Sequence, residues 1–214
     1  AEIAALTTTQ VAVLKTSQVA ALTAKQISSM EIADLAAMTT MQTAALTKEQ
    51  VAVLTSAAQV AAIKTPATKP VSAALATLAV VDTAANVAKQ LDGLQARAKV
   101  GALAKITVTD AATNNLYVTS KSAIADADAL ALVDAGKLYL TNVTAGDLTS
   151  IKTLKNLTSI AMADTAANVI KSIDAINQMT KSTPISEIKF TDQTAPSLTF
   201  AQITSLDKID TYIK

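Results

Sequence analysis

Residues 6–63 read LTTTQVAV, LKTSQVAA, LTAKQISS, MEIADLAA, MTTMQTAA, LTKEQVAV and LTSAAQVAAI, a pattern that returns every eight residues with one residue added in the last copy. The large apolar positions are Leu6, Leu14, Leu22, Met30, Met38, Leu46, Leu54 and Ile63, with Val11, Val19, Ile27, Leu35, Val51 and Val60 between them. An α-helix turns about 100° per residue, so each octad overshoots two turns by about 80° and the apolar stripe would circle a continuous rod. Supercoiling could straighten it only at about 4.0 residues per turn, far from the helical value. Ala, Gln and Lys argue against strands. The helix must therefore break once per repeat.

The break has its own signature. Thr7 with Gln10, Thr23 with Gln26, Thr39 with Gln42, and Thr47 with Gln50 each have the T-x-x-Q spacing of a capping box. In that motif the hydroxyl and the amide each satisfy an orphan backbone N–H at a helix start. Residues 1–64 are thus expected to form a coil of very short helices that turn at each Thr, with Leu and Val inward and Ala at the contacts between coils. Lys15, Glu31 and Asp34 break the pattern and predict corners that are capped differently. The competing expectation is one long Ala-rich helix or a helical hairpin.

Composition agrees with repetition. Half of the 214 residues are hydrophobic but only 2 % are aromatic, and there are 45 Ala and 31 Thr. Apolar stabilisation scales with buried area, so a core without aromatics needs many close, regular contacts. The absence of His and Cys excludes Ser-His-Asp and Cys-His catalytic pairs, thiolate metal sites, disulfides and haem attachment through cysteine. Lys and Arg number 18 against 17 Asp and Glu, with no basic run, so the electrostatic footprint of a nucleic-acid binder is missing. Mean hydropathy is +0.36, but no window reaches the roughly 18 apolar residues of a spanning helix. A soluble chain is expected. Ala1 opens inside the pattern, as a mature start or a cut from something longer would.

KTPATKP (residues 64–70) holds two of the four prolines, which disfavour helix at the preceding residue, and marks a linker over residues 65–76. Beyond it lies a second repeat. VVDTAANVAKQLDGL (80–94) returns as MADTAANVIKSIDAI (162–176), a shift of 82 that also carries Leu103 onto Ile185, Ile106 onto Ile188, Thr109-Asp110 onto Thr191-Asp192, and Leu116 onto Leu198. This is a duplication, with copies at about 80–161 and 162–214, the second truncated.

Buried strands are expected at residues 78–81, 106–109, 138–140, 160–162 and 188–191, with weaker ones at 116–118 and 198–200. Amphipathic helices lie between them. One carries Val87, Leu91, Leu94 and Ala98, one Ile124, Ala127 and Leu130 after Ser122, one Leu148, Ile151 and Leu154 after Thr144, and one Val169, Ile173 and Ile176. Strand–helix alternation at this spacing favours parallel crossovers and an α/β solenoid over residues 77–214. The expected class is α + α/β, an octad coil followed by strand–helix units. The alternative is a helical hairpin plus a compact parallel α/β domain.

Asp82, Asp110, Asp164 and Asp192 each follow a strand, where α/β proteins often hold ligands. Asp-Thr before Ala-Ala-Asn reads instead as a helix start, with a carboxylate near the positive end of the dipole. Asp126 and Asp128 fall short of the six to eight oxygens of a calcium site. No GxSxG elbow or phosphate loop occurs, and Gly93, Gly101, Gly136 and Gly146 read as helix stops or turn starts. Asn142-Val-Thr144 and Asn156-Leu-Thr158 are sequons, relevant only in a eukaryotic secretory route. The many Thr of the octads and strands could form an exposed array, though caps and β-branched strand residues account for them. No residue is assigned a catalytic, cofactor-binding or metal-binding role, and no cofactor is expected.

LTTTQVAVLKTSQVAALTAKQ (6–26), with DTAANVAKQLDGLQ (82–95) and ITVTD (106–110), resembles repeat modules of very large bacterial exported and cell-surface proteins, adhesin-like and surface-layer-like chains that often carry type I secretion features. The resemblance implies extracellular or cell-surface placement and a spacer, adhesive or assembly role. It transfers no functional residue, because the shared positions are caps and core. The glycine- and Asp-rich calcium repeats that often accompany such proteins are not in this segment.

The expected function is a non-enzymatic structural or adhesive module acting as scaffold, spacer or self-assembly unit. Its expected partners are a protein, a surface glycan or other copies of itself, with no nucleic acid and no membrane span. The alternative is a solenoid binding module for one defined protein or carbohydrate. An enzymatic reading would need a concave pocket with converging carboxylates or a Ser-Lys pair. If Thr23 and Gln26 cap a segment, changing both to Ala lowers stability by about 1–2 kcal/mol in chemical denaturation; an unchanged transition would point to the long helix.

Overall fold

The computed structural model describes residues 6–68, 71–110, 115–134 and 137–192. The octads form seven helices of five or six residues: α1 (Thr8–Ala12), α2 (Thr16–Ala20), α3 (Ala24–Ser28), α4 (Ile32–Ala37), α5 (Thr40–Ala44), α6 (Lys48–Ala52) and α7 (Ala57–Ala62). No continuous rod is present among the described residues. All four expected capping boxes are made: each Thr hydroxyl accepts the Gln N–H at 3.2–3.3 Å, and each Gln Oε1 accepts the Thr N–H at 2.6–2.8 Å. A fifth box, Ser56 with Gln59, serves α7, because the extra residue in the last octad moves the hydroxyl from Thr55 to Ser56. Lys15 keeps half the motif through its N–H to Gln18 Oε1 at 2.8 Å, and Glu31 makes no side-chain cap.

Helix packing reveals the period of the coil. α1 lies on α4 and α4 on α7, while α2 lies on α5 and α3 on α6. Three octads, 24 residues from Thr8 to Ile32, thus make one turn. Val11, Val19, Ile27, Leu35, Met38, Val51, Leu54, Val60 and Ile63 are fully buried, and each is worth about 1.5–3 kcal/mol in apolar burial. Leu6, Leu14 and Leu22 are only half-buried, since they belong to the outermost turn among the described residues.

Successive turns are also tied by polar bonds that the sequence reading did not foresee. Gln42, whose Oε1 caps its own helix, donates from Nε2 to the carbonyls of Val11 and Leu14 in the preceding turn, both at 2.8 Å. Gln50 does the same to Val19 at 2.9 Å and Leu22 at 2.6 Å. One amide therefore satisfies the start of one helix and the end of another.

By its contacts the chain divides into two compact units, Ala1–Asn114 with Asp128–Ala135, and Asn115–Ala127 with Gly136–Lys214. Residues 65–76, expected as a linker, lie inside the first unit, and a 3₁₀ turn at Leu75–Thr77 buries Leu75. In this unit β1 (Ala79–Asp82), β2 (Lys105–Val108) and the two-residue β4 (Val133–Asp134), which was not foreseen, form a parallel sheet in the order β1-β2-β4. The octad coil runs straight into it: Val81 N–H donates to Thr55 O at 2.8 Å, and α7 packs on β1. The second unit holds β3 (Asn115–Thr119), β5 (Lys137–Val143), β6 (Leu157–Asp164) and β7 (Ile185–Phe190), all parallel, in the order β3-β5-β6-β7. The expected strand at 198–200 lies outside the described residues.

Three helices expected to be continuous are broken. α8 (Ala84–Lys89) and α9 (Leu91–Val100) part at Gln90, α10 (Ser120–Ala125) and α11 (Ala127–Leu130) at Asp126, and α13 (Ala166–Lys171) and α14 (Ile173–Met179) at Ser172. Each break has φ between −111° and −105° and falls seven residues after the Thr that caps the first piece, so the short-helix device persists into the α/β part. The remaining helix, α12 (Leu148–Ile151), follows a 3₁₀ turn at Ala145–Asp147.

Two further expectations are corrected. Thr119, rather than a residue near Ser122, caps α10, which rotates Ala123 inward and leaves Ile124 exposed. Gly93 is no stop: it sits inside α9 where a Cβ would stand 2.7 Å from Ala61 Cβ, so its missing side chain lets α9 approach α7. Gly101 does end α9, in the left-handed conformation with φ 75°.

Candidate functional site

The aspartates that follow strands are the first candidates for chemistry. Asp82 Oδ1 accepts the N–H of Thr83 at 2.8 Å and Asn86 Nδ2 at 2.7 Å, so it orders the start of α8. Its Oδ2 reaches back to the preceding coil and accepts the N–H of Ala57, the first residue of α7, at 2.9 Å. Asp164, one duplication later, repeats every bond: Thr165 N–H at 2.7 Å, Asn168 Nδ2 at 2.8 Å, and the N–H of Ala145 in the coil before at 2.9 Å. Asp110 accepts the N–H of Ala84 at 2.6 Å, and Asp192 that of Ala166 at 2.9 Å.

Each carboxylate is thus a rung that holds the helix start of one coil from the next. The Asp-Thr-Ala-Ala-Asn pattern places Asp82 and Asp164 at the starts of their own helices, but local spacing does not reveal that all four carboxylates also reach the helix start of the coil before. Asp147 was missed altogether, although Thr144-x-x-Asp147 has the capping spacing. Its Oδ2 accepts Thr144 N–H at 2.9 Å and the Ser120 hydroxyl, at the start of α10, at 2.8 Å.

Burial alone would raise the pKa of Asp82, Asp147 and Asp164. Hydrogen bonds from Asn86, Ala57 and Thr83, from Thr144 and Ser120, and from Asn168, Ala145 and Thr165, respectively, outweigh it and hold all three below the ordinary value. The ionised form is the one with a structural task. None of these groups is held protonated for use as an acid.

Among the described residues no group of three or more Asp or Glu could hold a metal ion. Asp128 accepts from Gln95 Nε2 at 3.0 Å, in a clasp where Gln95 Oε1 accepts the N–H of Ala129 at 2.8 Å. Asp126 is buried at the break between α10 and α11. Sequon residues Asn142 and Asn156 are exposed and are the non-glycine residues with positive φ among those described, 54° and 59°, a conformation Asn tolerates in turns.

The surface of the second unit also carries an aromatic feature. Tyr117 on β3 pairs in register with Tyr139 on β5, and the rings stack at 4.9 Å between centroids with 24° between planes. Leu116, Val118, Leu138 and Leu140 alternate with them and are buried, so the tyrosines occupy the outer face of the sheet. Tyr117 is 58 % exposed. Asn115, Thr119 and Thr141 share that face by their alternation along the strands, and Ser159 follows Tyr139 in register on β6.

Residues 1–31 fit the family model described as the ALTTAQ repeat. No curated protein and no solved structure matches. The chain therefore carries a repeat module, and the matched residues include the first octads and their Thr-Gln boxes.

The lowered carboxylates make stability depend on pH. Because the folded pKa lies below the unfolded value of 3.8, each rung contributes fully above that value, and its contribution drains away as pH falls through the folded pKa. Denaturation series carried from about pH 5 down to about pH 2 are expected to show a steep loss in the native chain. A variant with Asp82, Asp147 and Asp164 all changed to Asn should be less stable at pH 6, by about 1–3 kcal/mol per residue changed, and flatter with pH. Equal slopes would remove the rungs from the account.

Proposed function

We propose that this chain is a non-enzymatic structural module of a bacterial secreted or cell-surface protein, a scaffold built from stacked repeats. The observation that carries this reading is the use of the carboxylates: Asp82, Asp110, Asp147, Asp164 and Asp192 all accept backbone or hydroxyl protons from a neighbouring coil. Groups that could do acid–base chemistry are spent on joining repeats. The repeat match over residues 1–31 and the lack of His and Cys support the same reading. Cell-surface placement rests on the resemblance of the octads and the DTAANV units to exported repeat proteins. Antibody raised against the chain is expected to label intact source cells; labelling only after permeabilisation would reject surface placement.

A second reading, that one sheet face binds a carbohydrate or protein, is favoured by the tyrosine pair. In a chain that is 2 % aromatic, both described tyrosines stand together on an open strand face, flanked by hydroxyl and amide side chains. Aromatic faces beside neutral polar groups suit sugars, which stack on rings through their C–H bonds. On a glycan array, saturable binding that Tyr117→Ala and Tyr139→Ala abolish would establish this role, and an empty array with the native chain would leave the pair a cross-strand packing contact worth about 0.2–1 kcal/mol.

A further inference from the structure

The first unit contains an open cleft of about 430 Å³ lined by Thr40, Lys64, Thr65, Arg97 and Lys99, with four apolar residues completing its wall. Its three charged residues are all cations. Arg97, the single arginine of the chain, is fixed in place: Nη1 donates to Gly93 O at 2.9 Å and Nη2 donates to Ile63 O at the end of α7. Both acceptors are neutral carbonyls. Its Nε is buried with no hydrogen-bond partner, and the ion pair formed among the described residues, Lys105 with Asp134, lies elsewhere in the unit.

A guanidinium that is partly withdrawn from water normally has a carboxylate beside it, because the desolvation cost is otherwise uncompensated. Here burial pulls the Arg97 pKa down, yet the group stays cationic at any physiological pH. Lys64 and Lys99, both exposed, add like charges along the same wall, which raises the repulsion rather than relieving it. Arg97 and Lys99 also stand in the last turn of α9, where cations are favoured by the helix dipole. That dipole accounts for basic residues on α9 but not for Lys64, which comes from a different segment. Cations converging from two segments on one concavity, with no acid in its lining, form a field suited to an anion.

We propose that this cleft binds a phosphoryl group, as free phosphate or carried on a sugar. Arg97 supplies a fixed planar donor, Lys64 and Lys99 supply mobile charges, and Thr40 and Thr65 bring hydroxyls to the lining. A volume of about 430 Å³ is in the range of small-molecule clefts, about 300–1,000 Å³, and admits a phosphorylated monosaccharide. The proposal goes beyond the scaffold reading and stands or falls apart from it.

The test uses the whole chain and three probes, inorganic phosphate, glucose 6-phosphate and glucose, with sodium chloride at matched ionic strength as reference. Phosphate or glucose 6-phosphate is expected to raise Tm saturably beyond chloride, and calorimetry is expected to give one site. Lys64→Gln with Lys99→Gln changes two exposed side chains and should keep the ligand-free circular dichroism spectrum while weakening binding at least tenfold. Equal binding of both phosphates indicates the free ion as the natural form, and tighter binding of glucose 6-phosphate, with none of glucose, indicates a sugar phosphate; either supports the site. Stabilisation no greater than chloride gives, or binding that survives the double variant, overturns it.

Discussion

A helix of five residues has almost no interior. Four N–H groups and four carbonyls at its ends lack intrahelical partners, so nearly every backbone polar group in such a helix must be satisfied from outside. This constraint governs the whole molecule. A chain of short helices can exist only if side chains cap the helix ends, and here much of that capping comes from the neighbouring coil. Gln42 and Gln50 close the carbonyl ends of helices in the turn before them. Asp82, Asp110, Asp164 and Asp192 close N–H ends in the same fashion. Arg97, donating to Ile63 O, does for α7 what the glutamines do for α1 and α2.

The apolar core follows from the same geometry. With the helix broken at each corner, one residue per helix, Val or Ile except Leu35 in α4 and Thr43 in α5, and one Leu, Met or Ile per corner point inward, and the stripe that would have circled a rod becomes a continuous seam. Small residues set the spacing between coils. At Gly93 even a methyl group is too large, because Ala61 lies 2.7 Å from where it would stand. This explains how a chain with so few aromatic residues holds together. It gains stability from many modest contacts and many paired backbone groups, with no single large nucleus.

Polar residues of the described coils serve widely as caps, and among the surface features outside that use are the Tyr117–Tyr139 pair and the lysines of the cationic cleft beside Arg97. Neither was apparent in the sequence. Tyr117 and Tyr139 lie 22 residues apart and meet only because β3 and β5 are adjacent and in register. Lys64 and Arg97 are brought together by the packing of α9 on α7, a contact that depends on Gly93 inside α9.

The octad spacing and its hydroxyl–amide pairs determined by themselves that the first part of the chain breaks into short helices, since eight residues do not fit a whole number of helical turns and the means of breaking stands at every corner. The alternation of apolar runs marked β1, β2, β3, β5, β6 and β7, and the shift of 82 foretold that Asp164 would stand as Asp82 does, because both are local or self-referential patterns. Tertiary structure alone decided that three octads make one turn, that Gln42, Gln50 and the aspartates also cap a neighbouring coil, and that α8–α9, α10–α11 and α13–α14 are broken. These outcomes depend on which coil lies beside which, and a hydrogen bond across 25 or 31 residues leaves no mark in the spacing of either partner.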